Sequence, residues 1–422
     1  MAKMNKDYEK LRGVSKCFTE ETLKEILCIV HKGETANVSN WEFDEANAKG
    51  DNYLSTVNKI KVTGNVDGKE TQVSLVVKSL PTNIGRRNTY RSVEFFRNET
   101  QFYTKMIPKF QEFLKDKGQE NLLCIPRHIA SCMDGENDYI AMEDVTLLGF
   151  KPLARQDCID GDKCAMILRA MGKFHGISFA YKDQEKDFTK LVESLHETYF
   201  SDENWNWYKR FFKTITDITQ NALATEYPDS TAEKRYESYR FGSLYHKAAE
   251  FCKRTHQPTS VISHGDCWAP NFLSREPNGN EILMLDFQLT RCSSPILDIS
   301  TCIYACTDKT VWDEQFHKLL KIYYDELCNT ITLLGSNPEN LYSWNTFMSE
   351  VKEQFGFGAI FAMEIIPLSL LDESDTFDLD AIIKDDNAVD IADVWTISNI
   401  KSQSGRLRLA NVFVHAIQNE FL

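Results

Sequence analysis

No stretch of this sequence is both long and apolar enough to span a bilayer. The most hydrophobic segment, Gly358–Leu371, is short and is interrupted by Glu364 and Pro367. The start Met1-Ala2-Lys3-Met4-Asn5-Lys6-Asp7 is polar and lacks the apolar core of a secretory signal. An excess of basic residues is also missing. With 48 Lys and Arg against 62 Asp and Glu, the formal net charge is -14. That excludes a broad basic surface for a nucleic-acid backbone and disfavours polyanionic acceptors. There is no Cys-x-x-Cys pair and no Cys/His run of zinc type, so without an export signal the 12 cysteines read as reduced, mostly buried small hydrophobes. A cytoplasmic protein with no membrane span, no nucleic-acid partner and no implied protein partner is the expectation.

Neither an internal repeat nor a low-complexity linker interrupts the chain. The remainder is ordinary globular composition, 42% hydrophobic and 26% charged, and 422 residues suffice for two domains. A first helix fits Thr19–His31: Thr19 caps it, Glu20 and Glu21 suit its positive end, and Leu23, Ile26, Leu27 and Val30 form one apolar stripe. Strands follow. Val57, Ile60 and Val62 lead to the hairpin signal Asp67-Gly68 and on to Val73–Lys78. A helical segment runs from Arg91 to Ile107, and a second hairpin pairs Arg127–Cys132 with Tyr139–Asp144. Beyond Val145 the pattern turns to long helices: Lys163–Tyr181, Trp205–Ala222, Ala232–Arg254, Val311–Leu334 and Ser343–Ile366. One island of strand character, Val261–Asp286, breaks the series. The fold class expected is therefore α+β. Residues 1–145 are expected to form a small β-rich lobe and residues 146–422 a larger mainly helical one, and a cleft between them is the expected ligand site.

The segment His264-Gly265-Asp266-Cys267-Trp268-Ala269-Pro270-Asn271, followed by Leu285-Asp286-Phe287-Gln288, carries the chemistry. An Asp, an Asn five residues later and a second Asp-Phe at the end of a short strand match the needs of phosphoryl transfer. A carboxylate must orient and deprotonate the attacking hydroxyl, and hard oxygen ligands must hold Mg²⁺ against the phosphates. Asp266 suits the first task, Asn271 and Asp286 the second. Asn278-Gly279 supplies a hairpin turn that brings the two metal ligands to one end of a strand pair.

Upstream, Lys78 interrupts a strand of Val, Leu and Ser. Glu99 sits among Phe95, Phe96, Phe102, Tyr103 and Met106 on the apolar side of its helix. A carboxylate there is costly unless a cation meets it, and Lys78 is the natural partner. Such a pair would hold the lysine amine against the α- and β-phosphates of ATP. The phosphate-covering loop, Ala48–Ser55, has one glycine and no G-x-G-x-x-G. Its backbone around Asn52–Ser55 and the Ser55 hydroxyl can donate to phosphates, and the segment reads equally well as an ordinary turn. Where Ile140–Val145 ends the small lobe, the Glu143 carbonyl and Val145 amide are placed to meet an adenine edge.

These residues together resemble the insect ecdysteroid kinase-like family, which is related to choline kinases and aminoglycoside phosphotransferases. The likeness lies in His264-Gly265-Asp266-x-Trp268-x-x-Asn271, Leu285-Asp286-Phe287-Gln288 and Ser294-Pro295-x-x-Asp298. It extends to Tyr53-x-Ser55, Lys78, Glu99-x-x-x-Tyr103, Glu143-Asp144 and the stretch Met171–Gly176, covering Phe18 to beyond Tyr323. The resemblance implies a protein-kinase-like bilobal fold and ATP-dependent phosphorylation of small-molecule hydroxyls, ecdysteroids included. It implies Asp266 as catalytic base, Asn271 and Asp286 as magnesium ligands, and His264 and Asp298 as supports of the catalytic loop. Cys267 stands where the family usually has leucine. Gln288 in place of Gly, and the short path to the helix start near Pro295, leave little room for a peptide-binding activation segment.

A lipophilic acceptor, an ecdysteroid or hydroxylated xenobiotic, is the favoured reading. The alternatives are a choline or amino-alcohol kinase and a nucleotide-binding pseudokinase. The acceptor pocket falls to the late helices, with Trp205, Trp207, Tyr208, Phe211, Tyr323, Tyr324, Trp344, Phe347, Phe355, Phe357 and Phe361. Core packing is the default role for most of these. For a cationic acceptor, the acidic run Leu371–Asp375 offers charge, and it reads otherwise as a solvated loop.

Overall fold

The computed structural model describes residues 6–44, 54–275, 281–372, 377 and 379–422. The chain divides into two compact units. The first comprises Met1–Thr100, Pro126–Phe150 and Glu373–Asp390, the second Gln101–Ile125, Lys151–Asp372 and Ile391–Leu422. Among the described residues no helix is long and apolar enough to cross a membrane.

The first unit is built on a five-stranded antiparallel sheet of β1 (Ala36–Phe43), β2 (Thr56–Val66), β3 (Lys69–Ser79), β4 (His128–Cys132) and β5 (Tyr139–Glu143), in the order β1-β2-β3-β5-β4. Asp67 and Gly68, both at positive φ, form the two-residue turn between β2 and β3, as the sequence signal requires. The helix Glu20–His31 is capped by the Thr19 hydroxyl, and it turns Leu23, Ile26 and Leu27 onto Trp41, Ile60, Val62 and Leu75. Alternation along β2 and β3 sends Ile60, Val62, Leu75 and Val77 into this core. A late segment of the chain returns to the same unit. Its Ile383 carbonyl accepts from Asn83 Nδ2 at 2.8 Å, and the Asp385 carbonyl would lie 2.0 Å from any Cβ at position 85, so only glycine fits there.

The second unit is mainly helical. Its longest helices, Gly161–Gln184 and Lys309–Leu333, approach closely at Gly172 and Gly176, where a Cβ would meet the Tyr323 carbonyl at 3.0 Å and Thr330 at 2.7 Å. Short strands punctuate the helices. These are β6 (Lys151–Pro152), β7 (Val261–Ser263), β8 (Phe272–Arg275), β9 (Glu281–Met284) and β10 (Arg291–Ser293). β8 lies between β6 and β9, and β10 pairs with β7.

Three sequence-based helices differ from those found. Arg91–Ile107 is an α-helix, Ser92–Gln101, followed by a π turn at Phe102–Met106 and a further helix, Ile107–Asp116. Ala232–Arg254 is two helices, Thr231–Glu237 and Ser243–Cys252, because the chain reverses into Gly242 at φ 83°. Ser343–Ile366 divides at Phe355 into Trp344–Gln354 and Gly356–Ser369, where the Gly358 N–H donates to Ser300 Oγ at 3.0 Å. Residues 45–53, with Tyr53 and most of the expected phosphate loop, lie outside the described residues, as do Asn278-Gly279 and residues 373–376 of the acidic run.

Candidate active site

The loop after β7 is fixed by one buried carboxylate. Asp298, in the first turn of the helix Ile296–Cys306, accepts from the His264 N–H at 2.6 Å and the Gly265 N–H at 2.9 Å. His175 Nε2 lies 3.1 Å from the same carboxylate, and Tyr323 OH lies 2.8 Å from His175 Nδ1. Burial works to raise the Asp298 pKa, but the contacts from His175, His264 and the Gly265 amide outweigh it and hold the group below the usual carboxylate range. A carboxylate so placed accepts from two consecutive amides and fixes the loop's backbone at that point. Gly265 adopts φ +87°, and a Cβ there would lie 2.0 Å from the Leu289 carbonyl, so the position admits only glycine.

His264 has a defined tautomer. The Asp266 N–H donates to its Nδ1 at 3.1 Å, so the ring proton is on Nε2 and is given to the Leu285 carbonyl at 2.7 Å. Burial depresses its pKa, in accord with a neutral ring, and Phe287 lies against it with centroids 4.5 Å apart. The histidine thus ties the Asp266 loop to the strand that precedes Asp286.

Asp266 itself is 9% exposed and Asn271 7%. Asn271 Nδ2 donates to the Asp266 backbone carbonyl and to its Oδ2, both at 3.0 Å, which orients the Asp266 carboxylate from behind. β8 and β9 pair with Phe272 opposite Met284, and the Leu285 N–H donates to the Asn271 carbonyl at 2.8 Å. The strand pair therefore brings Asn271 to within one residue of Asp286. Asp286 sits at φ 63°, ψ 70°, a left-handed conformation uncommon for non-glycine residues but better tolerated by aspartate than by most. Phe287 is wedged beneath it, stacked on Phe102 at 3.9 Å and packed on Phe174 at 5.5 Å.

In the first unit, Lys78 on β3 and Glu99 on the helix Ser92–Gln101 form a buried ion pair, Nζ to Oε2 2.6 Å, with side chains 7% and 0% exposed. Ser55 is buried just before β2, and its carbonyl accepts from Arg86 Nη2 at 3.2 Å. Glu143 ends β5 with its carboxylate accepting from the Arg127 N–H at 2.8 Å, and Val145 opens a 3₁₀ turn capped by Asp144. Lys78→Met is expected to lower turnover and leave Glu99 buried without its cation. Glu99→Gln should then cost less in that background than alone, because the two groups act as a unit. The checks are kcat/KM and denaturation midpoints of the four proteins, and strict additivity would mean the pair is not coupled.

Of the aromatics assigned to the late helices, Phe211, Tyr323, Phe347, Phe355, Phe357 and Phe361 are core residues, and Tyr323 serves His175 rather than a ligand. Sequence reasoning missed the carboxylate at their centre. Glu364, buried on the helix Gly356–Ser369, accepts from Tyr199 at 2.6 Å and from Tyr208. Burial pushes its pKa from 4.5 to about 7, against the two tyrosine hydrogen bonds. The folded state then binds this proton more tightly than the unfolded chain. The associated stability is complete below 4.5 and is lost as pH rises towards about 7, a change of about 3 kcal/mol at most. Glu364→Gln should flatten that slope, measured by urea midpoints across the interval.

The α+β architecture is of the protein-kinase-like class, and the protein is a small-molecule phosphotransferase acting on hydroxyl groups. The chain belongs to the ecdysteroid kinase-like family, whose model matches residues 49–336, about two thirds of its length. No curated protein matches it. Among solved structures it is similar to an ethanolamine kinase of Plasmodium vivax (14% identity, 80% of this chain and 78% of that one, TM-score 0.39). It is similar also to a putative aminoglycoside phosphotransferase of Ralstonia eutropha (12%, 94% and 98%, 0.39). A choline kinase of Streptococcus pneumoniae is a third (13%, 83% and 98%, 0.31). These likenesses are distant, and the family assignment rests on the family model.

Proposed function

We propose that the protein transfers the γ-phosphoryl group of ATP to a hydroxyl of an uncharged, largely apolar alcohol such as an ecdysteroid or a hydroxylated xenobiotic. The observation that carries the reading is the Asp266 carboxylate, held by Asn271 Nδ2 within a loop locked by Asp298. In this reading Asp266 orients the acceptor hydroxyl and takes its proton as the oxygen attacks phosphorus. Asn271 Oδ1 and the Asp286 carboxylate are hard oxygen donors brought to one end of a strand pair, a donor set that suits Mg²⁺. A bound magnesium ion would neutralise charge on the transferring phosphates. Lys78, aligned by Glu99, contributes a positive charge for the α- and β-phosphates, and Ser55 adds a hydroxyl donor. The Glu143 carbonyl and Val145 amide serve the adenine edge.

For the acceptor, family membership supports a steroid-type alcohol. The experiment is ATP consumption by purified protein against hydroxylated steroids, plant glycosides and amino alcohols. The expected result is turnover of a steroid or plant alcohol that is nearly insensitive to moderate salt. Efficient phosphorylation of choline or ethanolamine alone, weakening as salt screens the charges, would replace the lipophilic acceptor with a cationic one.

A further inference from the structure

The first unit carries a cluster that plays no part in this chemistry. The sulfur atoms of Cys17 and Cys132 and a carboxylate oxygen of Asp134 all lie within 4.8 Å of one another. Cys17 stands in the connection between the helices Tyr8–Val14 and Glu20–His31, Cys132 ends β4, and Asp134 begins the turn into β5. Two segments more than a hundred residues apart thus converge, and they are already tied together. Ser15 Oγ donates to the Asn137 carbonyl at 2.6 Å, and Cys17 Sγ lies 3.8 Å from Asp134 Oδ2.

The Asp134 carboxylate is held by its own turn. Asp134 Oδ1 accepts from the Glu136 and Asn137 N–H groups at 2.8 and 2.6 Å, and Asn137 Nδ2 donates to its Oδ2 at 2.9 Å. Asp138, 1% exposed, closes the same turn through Oδ1, while its Oδ2 is buried without a hydrogen-bond partner among the described residues. The surroundings are electronegative. Two carboxylates, Asp134 and Asp138, stand beside the two thiols.

A tetrahedral zinc ion with thiolates at about 2.3 Å and a carboxylate oxygen at about 2.0 Å separates its ligands by roughly 3.4–3.8 Å. The cluster needs only small side-chain adjustments to reach that spacing. We infer that Cys17, Cys132 and Asp134 form a binding site for a thiophilic divalent cation, zinc by ligand type, with a water molecule in the fourth position. Two sulfur ligands and one carboxylate select zinc over magnesium or calcium. Binding replaces two thiol protons with the metal, so affinity falls as pH falls. The ion would staple the amino-terminal segment to the β4–β5 hairpin and raise the stability of this unit.

The test uses the full chain, purified with its thiols reduced and stripped of metal. Cobalt(II) is the optical probe, zinc the calorimetric one. One equivalent of zinc should bind, raise the melting temperature and displace cobalt from a complex showing tetrahedral bands and thiolate-to-metal charge transfer. Cys17→Ser, Cys132→Ser and Asp134→Asn should each weaken or abolish these signals, whereas Cys28→Ser, outside the cluster, should leave them intact. Asp134→Asn keeps the turn's acceptor, so its loss of binding is not a loss of fold. Absence of stoichiometric zinc binding by the reduced wild-type chain would overturn the inference. So would cobalt charge transfer that survives both serine variants, or a Cys17–Cys132 disulfide as the only state the pair adopts.

Discussion

Asp266→Asn is expected to lower turnover on the order of 10³-fold, equivalent to about 4 kcal/mol of transition-state stabilisation, and to leave the fold and nucleotide affinity close to those of the parent. The size follows from the role. An amide cannot take the proton of the attacking hydroxyl, and it holds that hydroxyl less firmly than a carboxylate does. The structural cost is small because the loop is not held by this side chain. Its amides are locked by Asp298, its neighbour His264 is tied to Leu285, and Asn271 Nδ2 still finds the backbone carbonyl of residue 266. Single-turnover kinetics with saturating ATP, beside a thermal melt, separates chemistry from folding. Turnover near that of the parent would remove Asp266 from the mechanism.

Asp286→Ala is expected to abolish the magnesium-dependent part of ATP binding and, with it, turnover. The carboxylate is the one charged oxygen of the proposed metal pair, and Asn271 alone, being neutral, cannot hold a hard divalent ion against water. The variant carries a second cost. Residue 286 sits at φ 63°, where alanine is strained by about 1 kcal/mol or more. Asp286→Asn is therefore the companion, since asparagine tolerates the left-handed conformation and removes only the charge. Calorimetry with ATP in the presence and absence of magnesium should show the two curves coinciding in both variants. Affinity for MgATP equal to the parent's would leave Asp286 as a strand-end carboxylate and nothing more.

Local signals made much of the fold legible. Thr19 before Glu20-Glu21 and a 3.6-residue apolar stripe announced a helix, and Asp67-Gly68 between alternating strands announced a hairpin, because turn and cap chemistry act over a few residues. The Asp266–Asn271 spacing belongs to the same range and was readable for the same reason. What the sequence concealed lies in contacts between distant segments. Asp298 reaches back to His264 and Gly265, and His175 meets it across 123 positions of the chain. The stretch around His175 was visible only as a family likeness, since nothing local marks a buried histidine as the neighbour of a carboxylate. Periodicity also carried two helices through breaks. At Gly242 a positive φ turns the chain, and at Phe355 the following turn gives the Gly358 amide to Ser300. Glu364 was counted only as an interruption of an apolar run, whereas Tyr199 and Tyr208, from elsewhere in the chain, make its burial tolerable. Cys17 and Cys132 are 115 positions apart and carry no local ligand spacing, and their proximity arises only when β4 lies beside the amino-terminal segment.

The most direct test of the central claim follows the phosphorus atom itself. ATP carrying heavy oxygen in its γ-phosphoryl group is incubated with magnesium, the purified chain and a panel of hydroxylated steroids, plant alcohols and amino alcohols, and the products are read by mass spectrometry. The account predicts a phosphate ester of an alcohol bearing the heavy label, formed in step with ADP, dependent on magnesium and nearly absent with Asp266→Asn. Labelled inorganic phosphate as the sole product across the panel, or an ester formed equally well by Asp266→Asn, would contradict it.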